Sequence, residues 1–112
     1  MAILSADYTN INFEEMAASI GLKAKHMPLL IGSFLEESIP ALTELNSSIA
    51  SNNLETVAQQ AHAIKGSAGN LRFNEIYEMA KDMELSAKEK NTSFDYIGHL
   101  SAIKTAIETI PQ

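Results

Sequence analysis

The chain has 112 residues, enough for one domain with its own core, since folding at that size buries roughly two-thirds of the unfolded surface. Hydrophobic residues make up 46% and charged residues 20%, and the absence of cysteine excludes a disulfide scaffold, a thiolate metal site and a cysteine nucleophile. Fourteen acids against eight bases give a net charge of −6 with Arg72 the only arginine, so the clustered bases that a phosphate backbone requires are missing and nucleic acid is not expected as a partner. The longest apolar run, Met27 to Ile31, is too short for a bilayer. No secretory signal opens the chain, so a cytoplasmic protein without membrane contact is expected.

Fifteen alanines, eleven glutamates and a single valine favour helix. A short helix is predicted over about residues 12–20, with Phe13, Met16, Ala17 and Ile20 on one face, Asn12 as cap and Gly21 closing it in a left-handed conformation. A long helix over about 25–51 follows, its stripe running from Met27 through Leu30, Ile31, Phe34, Leu35, Leu42 and Leu45 to Ile49. Pro28 suits its first turn, and Pro40 should bend the helix without ending it. Asn52-Asn53 breaks the pattern before a helix over about 54–70 that places Val57, Ala58, Ala61, Ile64 and Ala68 inward. The next, over about 74–90, carries Ile76, Tyr77, Ala80, Met83 and Ala87. Asn91-Thr92-Ser93 offers caps for the last helix, over about 94–110, with Phe94, Ile97, Leu100, Ile103, Ile107 and Ile110 inward. Four long amphipathic helices on short links predict an all-α antiparallel four-helix bundle with a short extra N-terminal helix, one domain over 1–112.

Two anomalies interrupt this pattern. His62, Lys65, Gly66 and Gly69 lie on or beside the inner stripe of the third helix, over about 54–70, and each glycine costs about 1 kcal/mol in a helix relative to alanine. Missing side chains at Gly66 and Gly69 leave room for another molecule's backbone around His62. On the following helix Glu84 sits within the apolar stripe, where a carboxylate needs a partner. Lys65 and His62 are the candidates across the hairpin, and Lys88 flanks one turn on. A histidine with one ring nitrogen oriented by an acceptor such as Glu84 exposes the other as a nucleophile, and nearby lysines favour a dianionic phosphoryl group. The pattern therefore suits a phosphate-accepting histidine.

The segment Ala61-His62-Ala63-Ile64-Lys65-Gly66-Ser67-Ala68-Gly69-Asn70-Leu71 resembles the signature of histidine phosphotransfer (HPt) domains. Phe34-Leu35-Glu36-Glu37 with Ile39-Pro40 is similar to the family's long second helix, and Met83-Glu84 to the leucine-glutamate pair of its fourth. The resemblance runs from about Phe13 to Ile110. It implies that His62 is phosphorylated, that Lys65 neutralises phosphoryl charge, that Gly66 leaves space for a receiver domain and that Glu84 orients the imidazole. Arg72 departs from the family's glycine, which eases the turn between the third and fourth helices. If a left-handed residue is needed there, arginine costs about 1 kcal/mol, and its guanidinium lies near the docking face.

The resemblance implies a phosphoryl carrier without its own ATP site, working between response-regulator receiver domains and a hybrid sensor histidine kinase. It needs no cofactor of its own, because the receiver brings Mg²⁺. The sequence offers no carboxylate cluster suited to an ion and no nucleotide-binding loop: Lys65-Gly66-Ser67 reverses the required order in a helical setting. Docking is expected around Ala58, Ala61, Gly66, Gly69 and Arg72. Nothing requires a dimer, so a monomer is expected, and Met1 with the whole-chain resemblance favours a free-standing protein over an excised kinase domain. Plainer readings stand beside these: Glu84–Lys65 as a structural ion pair, Lys88, His26 and His99 as solvated surface, and Glu14-Glu15 and Glu36-Glu37 as solvated faces. A helical adaptor that binds a receiver without carrying phosphate is the alternative function.

Overall fold

Residues 3–111 are described by a computed structural model, and every regular element among them is helical. The side chain of Asn12 accepts the Glu14 and Glu15 backbone N–H groups and so starts α1 (Phe13–Ser19). Gly21 follows at φ 76°, the left-handed conformation that a Cβ would resist. After a 3-10 turn at Ala24–His26, α2 spans Met27–Ala50 with Pro28 in its first turn. The helix continues through Pro40, which removes one bond to the Glu36 carbonyl. Both residues are exposed, so water can serve that carbonyl.

Asn52 turns the chain at φ 56°, and the Asn53 side chain caps α3 (Leu54–Asn70) by accepting the Thr56 N–H at 3.3 Å. The predicted limits of this helix match. The fourth segment, α4 (Asn74–Lys88), stops two residues before the predicted end, where Lys90 turns left-handed at φ 56°. The last, α5 (Tyr96–Glu108), starts two residues later than predicted, and its cap is Asp95 rather than Asn91–Ser93. Asp95 accepts the Gly98 N–H at 2.9 Å, whereas Asn91 accepts the Ser93 N–H within the preceding turn.

The phase of α5 corrects two expectations. Its buried stripe is Tyr96, His99, Ile103, Ala106 and Ile107, continued by Ile110 beyond the helix end. These positions fall three or four residues apart, and Ile97 lies about 100° round from Tyr96. Ile97, predicted inward, is therefore 72% exposed. His99, predicted on the surface, is buried. Its Nδ1 donates to the Asp95 carbonyl at 2.9 Å, and its ring centre lies 4.3 Å from that of Phe94. Helix phase overrides the polarity of the residue here.

Each long helix packs on the next, and α2 closes on α5, giving a four-helix bundle with α1 placed before it. Ile31, Phe34, Leu45, Val57, Ile64, Ile76, Met79, Met83 and Ile103 fill the centre. Phe73, just before α4, packs on Phe34 at 5.1 Å and Tyr8 at 4.8 Å between ring centres. Residues 3–11, to which the sequence assigned nothing, form a strap over α4 and the end of α5. The Leu4 N–H meets the Met79 sulfur at 3.4 Å, the Tyr8 N–H donates to Thr109 Oγ1 at 2.8 Å, and the Tyr8 hydroxyl donates to Glu75 at 2.9 Å. No helix among the described residues is long and apolar enough to cross a membrane.

Candidate functional site

The hairpin of α3 and α4 positions the site. Its turn, Leu71–Phe73, makes the two helices antiparallel neighbours, and Ala58, Ala61 and Ala68 on the buried side of α3 let the axes approach closely. Glu84 thus faces the middle of α3 from within the packed layer, only 2% exposed. Three cations or potential cations converge on its carboxylate. Lys65 Nζ lies 2.7 Å from Oε1, while His62 Nδ1 at 2.9 Å and Lys88 Nζ at 2.8 Å share Oε2. Both partners predicted for Glu84 are in place. Lys88, for which a solvated surface charge was the plainer expectation, joins them from one turn further along α4.

Burial pushes the Glu84 carboxyl up, but the hydrogen bonds from Lys65, Lys88 and His62 outweigh it and hold the group at about 2. Glu84 is therefore ionised at neutral pH and can only accept hydrogen bonds. It follows that the proton in its contact with His62 resides on Nδ1. In the neutral ring the lone pair is then on Nε2. The carboxylate end of the contact is sealed, while the His62 side chain is 66% exposed. One nitrogen is held and the other is reachable.

The glycines divide. At Gly66, one turn beyond His62, an added Cβ would meet nothing within 4 Å, and the residue is exposed. Open surface therefore does lie beside His62. At Gly69 an added Cβ would come within 3.2 Å of the Tyr77 ring, so this glycine serves the packing of α3 on α4 rather than a partner. Ala61 also leaves the expected docking set, because it is fully buried. Ala58 is nearly buried and reaches the surface only in the wall of a groove. Arg72 is exposed in the α3–α4 turn at φ 63°, about 15 Å along the helix axis from His62. The turn is thus left-handed, as the family's glycine would suggest, but built with arginine.

Two features were not legible in the sequence. Ser67 donates to Glu37 Oε2 at 2.8 Å, which ties α2 to α3 beside Gly66 and gives an exposed glutamate a specific partner. A groove of about 1000 Å³ opens on the other side of His62, walled in part by Ala58, Gln59, Ala87, Lys88, Lys90 and Thr92. It arises where the α4–α5 loop comes back beside the start of α3, an adjacency that no local pattern encodes.

The Hpt domain family model matches residues 29–112, which includes α3, α4 and every residue of the Glu84 cluster. The chain belongs to the Hpt domain family. Hpt domains are phosphocarrier modules rather than kinases, and they interact with receiver domains and kinases in two-component systems. A general role in phosphorelay transfer follows for this chain. Among curated proteins and among solved structures, no significant match was found.

Proposed function

We propose that His62 accepts a phosphoryl group from an aspartyl phosphate on one receiver domain and passes it to the aspartate of another. The observation that carries this reading is the contact between a largely exposed imidazole and a buried carboxylate. Nδ1–H is fixed by Glu84, so the Nε2 lone pair can attack phosphorus in line. The P–O bond to the receiver aspartate breaks and its carboxylate leaves. The Nδ1 proton stays in place, and the ring becomes cationic, balanced by Glu84. Onward transfer is the same step with the roles exchanged.

Lys65 contributes positive charge beside the phosphoryl group, and Glu84 holds the ring. The open surface at Gly66 and the groove beside His62 suit a receiver's approach, with Ala58 in the groove wall and Arg72, in the α3–α4 turn, outside the groove. The chain acts as a stoichiometric carrier between a hybrid sensor kinase and a response regulator, without an ATP site of its own. Incubation with a phosphorylated receiver tests this. Wild type should acquire acid-labile, base-stable phosphate, and His62→Gln should acquire none. Receiver binding without labelling of either protein would instead favour an adaptor.

A further inference from the structure

Resting on the phosphoacceptor reading of His62, we propose that Lys88 is a mobile catalytic residue that binds the phosphoryl group. As the Nε2–P bond forms, it leaves Glu84 for the phosphoryl oxygens, while Lys65 remains on Glu84. The two oxygens of Glu84 are loaded unequally. Among the described residues Oε1 receives Lys65 alone, at 2.7 Å, whereas Oε2 receives both His62 Nδ1 and Lys88 Nζ. Departure of Lys65 would leave one oxygen of a buried carboxylate without a partner, which is costly. Departure of Lys88 leaves Oε2 still bonded to the imidazole.

Phosphorylation drives the exchange from both sides. The ring becomes cationic, so its Nδ1–H makes a charge-assisted bond that competes better for Oε2. At the same time, three anionic oxygens appear at the other ring nitrogen. With the ring neutral, Glu84, Lys65 and Lys88 together carry one net positive charge. A cationic ring bearing a dianionic phosphoryl group makes the whole cluster neutral. Exposure points to the same lysine: the Lys88 side chain is 60% exposed and that of Lys65 24%. Lys88 can therefore swing through water without opening the helix interface.

Phosphoramidate, a small phosphoryl donor, tests the exchange without any partner. Nε2 attacks its phosphorus, the P–N bond breaks, and ammonia leaves from the protonated nitrogen. In wild type, phosphorylation should shift the Cε–Hε NMR signals of Lys88 well beyond those of Lys65, with assignments taken from the two Lys→Arg variants. Lys88→Gln should shorten the phosphohistidine lifetime roughly three- to tenfold, and Lys88→Arg should restore it. The His62 Nδ1–H signal of unmodified Lys88→Gln should persist, which separates loss of the phosphoryl contact from a collapse of the site. A shift at Lys65 with none at Lys88, or an unchanged lifetime in Lys88→Gln, would overturn the exchange while leaving His62 as acceptor. Failure of phosphoramidate to modify His62 would overturn the phosphoacceptor reading and the exchange with it.

Discussion

His62 Nδ1 and Glu84 Oε2 lie 2.9 Å apart across the α3–α4 interface, with the carboxylate buried and most of the imidazole in solvent. The contact does two things: it fixes the tautomer, and it places a full negative charge beside a ring that would turn cationic in the proposed phosphoryl transfer. Glu84→Gln keeps an acceptor for Nδ1–H but removes the charge. Replacing a charge-assisted bond with a neutral one should slow phosphoryl acceptance about tenfold. Single-turnover transfer from a phosphorylated receiver measures this, with circular dichroism confirming the fold. Equal rates in wild type and Glu84→Gln would remove the carboxylate from the mechanism.

The same carboxylate makes the fold acid-sensitive. Its folded pKa of about 2 lies below the ordinary carboxylate value of 4.5, so the native state binds fewer protons than the unfolded chain between those limits. The stabilisation is fully present above about pH 4.5 and is lost as the pH falls towards 2. Its size is on the order of 3 kcal/mol. Urea unfolding from pH 7 to 2 should show wild type losing stability through this window relative to Glu84→Gln. A constant difference between the two proteins would show that the Glu84 cluster is not linked to folding.

The helices and the side-chain cluster around Glu84 were legible because each rests on local periodicity or on a breach of it. A glutamate inside the stripe of α4 and two glycines in α3 stand out without coordinates, and the structure brings Glu84 to His62 and Lys65. What the sequence misplaced depends on phase or on distant neighbours. The face of α5 set by Ile103 and Ile107 turns Ile97 outward and His99 inward, because repeated steps of three residues back to Phe94 drift off the 3.6-residue period. Gly66 and Gly69 look alike in sequence, yet only the second meets Tyr77 from the facing helix. The strap of residues 3–11 has no helical period to read, and its bonds go to Met79, Glu75 and Thr109, far along the chain.

The two glycines should therefore respond in opposite ways. Gly66→Ala adds a methyl group to open space and should stabilise the bundle by up to about 1 kcal/mol through helix propensity. The larger Gly66→Gln should fold equally well and weaken receiver binding by occupying the docking surface. Gly69→Ala must displace Tyr77, so its propensity gain should be cancelled or reversed. The gain should reappear in Gly69→Ala/Tyr77→Leu. Thermal unfolding and receiver titration separate these effects. Stabilisation by Gly69→Ala alone would show that the Tyr77 ring yields freely.

Arg72 holds a left-handed backbone, φ 63°, at the turn that sets α3 against α4. A side chain there costs about 1 kcal/mol relative to glycine, because its Cβ crowds the backbone. Part of the gain from glycine is offset by the greater freedom it gives the unfolded chain. Arg72→Gly should still raise stability, by roughly 0.5–1 kcal/mol, whereas Arg72→Ala, which keeps the Cβ, should leave it nearly unchanged. Urea unfolding of the three proteins tests the ordering. The guanidinium is exposed and about 15 Å along the axis from His62, so its removal should leave the phosphoramidate reaction unchanged and act, if anywhere, on receiver affinity. If Arg72→Ala matched Arg72→Gly in stability, the cost would lie in the arginine's charge or length rather than in the backbone conformation.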